Sequence, residues 1–77
     1  MVEFEQAISD YDQAITLDPE LAPAYLSRGS IYLFSEDYQD CTLARADLEH
    51  YLELRPNDPQ ADAIESELAR LCPLETE

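Results

Sequence analysis

Apolar residues recur at intervals of three and four along most of this chain, the spacing that places them on one face of a helix. Phe4, Ala7, Ile8, Tyr11, Ala14 and Ile15 form a first stripe, which ends at Leu17-Asp18-Pro19 because proline disfavours helix at the residue before it. A second helix is predicted from about Pro23, a residue suited to the first turn because its missing N–H would be unpaired there. It carries Tyr25, Leu26, Gly29, Tyr32 and Leu33 and runs to about Ser35. The third spans roughly Asp40 to Leu54, turns Ala44, Leu48, Tyr51 and Leu52 inward, and stops before Pro56. The fourth opens with Asp58 as N-cap and Pro59 in the first turn, buries Ala61, Ile64, Leu68 and Leu71, and closes at Pro73. Alternation at period two appears nowhere over a useful length, so no strand competes. The expected architecture is all-α, a single domain with four helices stacked antiparallel across short turns.

Composition adds one extreme. Among 77 residues, eighteen acids face four arginines and no lysine, for a net charge of −14. Such a surface repels nucleic acid, whose binding needs Lys and Arg to displace counterions. A basic protein partner or adaptation to high salt fits the charge better. Disorder, the other reading of strong acidity, fails because 45% of the residues are hydrophobic and fall at helical spacing. No run approaches the 18 or so apolar residues of a membrane span, so no membrane partner is expected. Met1-Val2-Glu3-Phe4-Glu5 carries neither the basic nor the apolar region of a secretory signal. Cys41 and Cys72 are too few for a disulfide scaffold and are expected as free thiols packed like small apolar residues, in a reducing, cytoplasmic setting.

Two segments echo each other. Residues 7–19 (AISDYDQAITLDP) and 44–56 (ARADLEHYLELRP) place a small residue, an Asp, a large apolar residue, an apolar pair, Leu and Pro at the same offsets, with the prolines 37 residues apart. That distance is near the 34-residue period of the tetratricopeptide repeat, TPR. Tyr25-x-x-Arg28-Gly29-x-x-Tyr32 resembles the W-x-x-L-G-x-x-Y first helix of that family, and Ala44-x-x-x-Leu48 with Pro56 resembles its A-x-x-x-F…P second helix. The resemblance implies an α-solenoid fragment: residues 3–19 as the second helix of a partial repeat, 22–56 as one full repeat with a short insertion, and 58–72 as a capping helix. In that frame Gly29 lets the paired helix approach, Ala44 keeps it close, and Leu48 fills the space between successive repeats.

Departures from the pattern matter as much. Arg28 stands where the family prefers Leu, so its stem is expected to pack while its guanidinium reaches solvent or an acid. Three extra residues between Tyr32 and Ala44 fall in Ser35-Glu36-Asp37-Tyr38-Gln39-Asp40 and are placed in the turn between helices. An alternative register starts the third helix earlier, using Asp37-Tyr38-x-x-Cys41 as the family's D-Y-x-x-A. The fourth helix has Asp62, Glu65, Ser66 and Ala69 at the key positions, a polar surface suited to an end cap.

Catalytic chemistry finds little to use. His50 is the one histidine, set between Glu49 and Tyr51, and a general base would need an oriented partner and a cleft. The acidic clusters at 35–37 and 75–77 lack the D-x-D-x-D-G loop that calcium needs, and a single Gly makes no phosphate loop. The chain is therefore read as no enzyme, with no cofactor and no metal. The resemblance implies a protein-interaction scaffold whose groove is lined by the first helix of each repeat, here Leu26, Ser30, Leu33 and Phe34. These positions carry none of the Lys, Arg and Asn by which some members clamp a peptide carboxylate, and an apolar groove suits a partner helix or peptide. Two alternatives stand beside it. Phe4, Ile8, Tyr11 and Ile15 lack the first helix that would cover them in a full repeat, which points to self-association as a homodimer. The charge alone suggests an acidic decoy for a basic protein.

Overall fold

The computed structural model describes residues 3–73, leaving Met1-Val2 of the signal reading and the acidic cluster at 75–77 outside the described residues. Four helices follow one another: α1 (Glu3–Leu17), α2 (Ala22–Phe34), α3 (Cys41–Leu54) and α4 (Ala61–Leu71). Each is preceded or ended by a proline-marked turn or a polar cap, as the sequence predicts. α1 packs on α2, α2 on α3, and α4 lies against α3 and the end of α2.

The turns explain the boundaries. Between α1 and α2, the Leu21 amide bonds Asp18 O at 3.0 Å, and the Tyr25 hydroxyl donates to Pro19 O at 2.8 Å, so a core aromatic also ties down the turn. The three-residue insertion lies in the turn after α2, which decides between the two registers of α3. Residues 39 and 40 have work there: the Gln39 side chain donates to Leu33 O and the Asp40 amide to Tyr32 O, satisfying carbonyls that the helix end leaves open. Asp40 then caps α3, its carboxylate accepting from the Leu43 amide at 3.1 Å. α4 begins later than expected. Asp58 accepts from the Gln60 amide at 2.7 Å and from the Tyr51 hydroxyl, so it shapes the turn before the helix, and Gln60 takes the cap position without a side-chain bond. A side chain bonding the backbone two residues on favours a turn over a helix start.

The pairing of Tyr51 with Asp58 has a pH signature. The Tyr51 hydrogen bond, then that of the Gln60 amide, hold the Asp58 carboxyl below its ordinary 3.8. The same bond to Asp58, then burial, push the Tyr51 phenol above its ordinary 10.0. A lowered carboxylate contributes stability above its unfolded value and loses it as pH falls through the folded one; a raised phenol contributes below pH 10 or so and loses it as pH rises. Tyr51→Phe is therefore expected to lower the urea midpoint most between about pH 4 and pH 10, with the gap to the parent narrowing on both sides. Midpoints at pH 3, 7 and 11 for both proteins check it; a gap constant across the three would rule the bond out as the source.

Two clusters make the core. Leu33, Ala44, Leu48, Leu68 and Cys72 join α2, α3 and α4, while Ala22, Tyr25 and Tyr51 join α2 and α3, with Ile15 of α1 packed against them. Leu26 and Ile64 pack against both clusters, and Leu48 of the first faces Gly29 of α2. A Cβ there would stand 2.9 Å from both Cγ and Cδ2 of Leu48 and 3.0 Å from Asp47 Cβ. Leu48 is 2% exposed, so its side chain can yield only by shifting within the core cluster. Overpacking of this kind costs about 1–3 kcal/mol, whereas alanine's better helix propensity returns about 1. Gly29→Leu, which adds three more carbons at the overlap, is expected to lower stability by more than Gly29→Ala, and an unchanged denaturation midpoint for the leucine variant would place Gly29 away from any contact.

The cysteines correct the sequence reading. Cys41 and Cys72 form a disulfide, with Cα atoms 5.5 Å apart. They are not free thiols, and the inference of a reducing, cytoplasmic compartment loses the ground it stood on. A separation of 31 residues hid the pairing, because only the packing of α4 onto α3 brings the two together.

Candidate functional site

α2 lies between α1 and α3, and its remaining face lines two clefts. Its groove-side residues Leu26, Ser30, Leu33 and Phe34 all line one cleft of about 240 Å³, which Leu48 of α3 and Ile64 of α4 complete. They are not equivalent. Leu33 is 2% exposed and belongs to the core; Leu26 is half-buried between both clusters; Phe34 is 57% exposed. The Ser30 hydroxyl donates back to Leu26 O at 2.7 Å, so its polar atom is already used and the wall it presents is effectively apolar.

A second opening of about 550 Å³ lies on the other side of Phe34 and Ser30, between the start of α1 and the end of α2. Phe4, Ile31 and Phe34 supply its apolar wall and Glu36 with Asp37 its edge. The α1 stripe thus splits. Ile15 packs into the core and Ile8 and Tyr11 are half-buried, while Phe4, 51% exposed, is left beside Phe34. The sequence stripes put Phe4 and Phe34 in separate groups and passed over Ile31; only the angle between α1 and α2 brings the three to one opening.

Among the described residues, one ion pair lies mostly out of water. Arg28 grips Asp47 with two hydrogen bonds, Nε to Oδ2 and Nη2 to Oδ1, both 2.7 Å, and reaches Asp12 of α1 through Nη1 at 2.6 Å. The bond to Asp47 raises the guanidinium's hold on its proton above the ordinary arginine value, with burial acting against it and Asp12 adding to it. The departure from the family's Leu is thereby explained: Arg28 fastens α2 to both neighbours, and the acid the sequence left unnamed is a pair, Asp47 and Asp12. Its guanidinium carbon also lies 5.8 Å from the centre of the Tyr25 ring.

His50 packs on Tyr25 with ring centres 4.3 Å apart and lies 3.7 Å from Glu53, the contacts of a packing residue. Among the described residues no group of three His, Cys, Asp or Glu side chains could hold a metal ion, and no helix is long and apolar enough to cross a membrane. The two clefts have no cation among their lining residues. What the face can offer a ligand is apolar area edged by carboxylates.

Comparison with known proteins gives one positive result. No curated protein and no solved structure matches the chain significantly. A match to the tetratricopeptide repeat family covers residues 2–69, taking in all of α1 to α3 and most of α4. With the Gly29 contact, the Ala44–Leu48 helix facing it and the proline-ended turns already in place, the chain belongs to the tetratricopeptide repeat family.

Proposed function

We propose that this chain is a protein–protein interaction module that docks an apolar helix or peptide of a partner on the α2 face around Phe34. The observation that carries this reading is that Phe34, 57% exposed, forms a wall of both clefts and has apolar neighbours on either side. An exposed aromatic between two apolar hollows resembles the anchor positions at which interfaces concentrate their binding energy. The absence of cations from the lining favours a partner that presents side chains over one that presents a free carboxylate.

Affinity capture from native lysate tests it with two variants. Phe34→Asp puts a charge on the face without entering the core and is expected to lose the captured partner. Leu17→Asp, at a residue 86% exposed near the far end of α1, is expected to keep it. Leu33→Asp is unsuitable, since a charge on a residue 2% exposed would unfold the chain. A partner retained by Phe34→Asp would overturn the proposal. Self-association is the second reading, favoured by Phe4 and Phe34 standing exposed at one opening. Light scattering decides it, because a monomer at high protein concentration removes it.

A further inference from the structure

α4 lays its apolar stripe on α2 and α3, and a covalent bond holds its far end there. Ile64, Leu68 and Leu71, spaced by four and three, pack against the cluster containing Leu33, Ala44 and Leu48, whereas Asp62, Glu65, Ser66 and Ala69 are exposed. The helix has only 11 residues and no side-chain cap at its start. A segment that short does not hold helical form by itself in water. At its end, three ties converge on one residue. Cys72 is 2% exposed within the core cluster, its carbonyl accepts from the Arg45 guanidinium, and its sulfur is bonded to Cys41, the first residue of α3. Cys41 itself is exposed, so the bond is open to attack from that side. The α2–α3 pair has contacts of its own, Gly29 on Leu48, Arg28 on Asp47, and Tyr25 and Tyr51 with Ala22, although Ile64 of α4 also packs against the last group.

We propose that α4 is the chain's own occupant of its docking groove and that the Cys41–Cys72 disulfide is the latch that keeps it there. Reduction by a dithiol releases the helix and presents Leu33, Ala44 and Leu48 to an amphipathic partner helix with apolar residues at the spacing of Ile64, Leu68 and Leu71. That surface extends the cleft of the docking reading above, which shares Leu33 and Leu48 and has α4 as one wall, and this step rests on that reading. The exchange balances: a dithiol's thiolate attacks Cys41 Sγ, forms a mixed disulfide and expels Cys72 as a thiolate that takes a proton. The second thiol then displaces Cys41, so two electrons and two protons pass to the protein and the dithiol leaves as a cyclic disulfide.

Hydrogen exchange on the intact chain tests the latch, with the oxidised protein, the same protein under dithiothreitol, and Cys41→Ser/Cys72→Ser in the absence of reductant. In the oxidised form the α4 amides are expected to exchange with the protection of α2 and α3. In the reduced and serine forms they are expected to exchange at least about 10-fold faster than those helices, as a sub-global opening does. Loss of protection in step across all four helices, or no change in α4, would overturn the latch. The second arm uses a synthetic peptide copying residues 58–71 at millimolar concentration, where it competes with a tethered helix. Amide shifts at Leu33, Ala44 and Leu48 are expected at a peptide concentration at least about 10-fold lower for the serine variant than for the oxidised protein. Opening of α4 without those shifts would leave the latch standing and overturn the groove as a docking site.

Discussion

Arg28→Met is expected to lower the free energy of unfolding by about 3–5 kcal/mol, the range seen when one partner of a buried ion pair is removed. The Asp47 side chain is 8% exposed and that of Arg28 19%, so the pair lies mostly out of water. The loss has two sources. The two bonds to Asp47 and the one to Asp12 disappear, and the Asp47 carboxylate is left in the contact beside Gly29 with no cation to compensate its desolvation. A chain of this size has roughly 4–12 kcal/mol of stability in all, so the variant should sit at the edge of folding. Arg28→Met/Asp47→Ala separates the sources, because removing both charges removes the orphaned carboxylate. It is expected to recover more than half of the loss in a denaturant titration. A double variant as unstable as Arg28→Met would show that the arginine acts through the packing of its stem. The exposed pairs Arg45–Glu49 and Arg70–Glu67 should each contribute under about 1 kcal/mol, since solvent screens them.

Cys41→Ser/Cys72→Ser is expected to lower stability by about 3.5–4 kcal/mol relative to the oxidised protein. The figure follows from the chain entropy that a cross-link over a separation of 31 residues removes from the unfolded state. Both sites accept serine without a steric clash, but the Cys72 side is buried against Leu33 and Leu48, so burial of a hydroxyl adds to the loss there. Urea titrations of oxidised protein, reduced protein and double variant measure the effect. The reduced protein should fall with the serine variant, and an oxidised protein no more stable than either would deny the disulfide any part in holding the fold. For a small domain that buries only about 60% of its unfolded surface, one covalent tie is a large share of what holds it.

Much of this molecule is written in its residue order. The four helices, their inward stripes and the close approach at Gly29 follow from helical spacing and from the backbone rules of proline and glycine, which act within a few residues. The repeat from 7–19 to 44–56 was legible for the same reason, and with it the family. Local chemistry fails where a side chain has a choice of partner. Asp58 could cap α4 or bond Tyr51, and the position of Tyr51 one turn from the end of α3 decided for the latter. Four readings were settled only by how the helices cross. Arg28 reaches Asp47 and Asp12 across 19 and 16 residues, Phe4 meets Phe34 at one opening, Leu33 goes inside under α4, and Cys41 finds Cys72. Periodicity tells which face of a helix is apolar. Whether that face ends as core, as groove or as a covalent tie depends on the angle and depth at which the next helix packs, and those are set jointly by many small contacts spread along the chain.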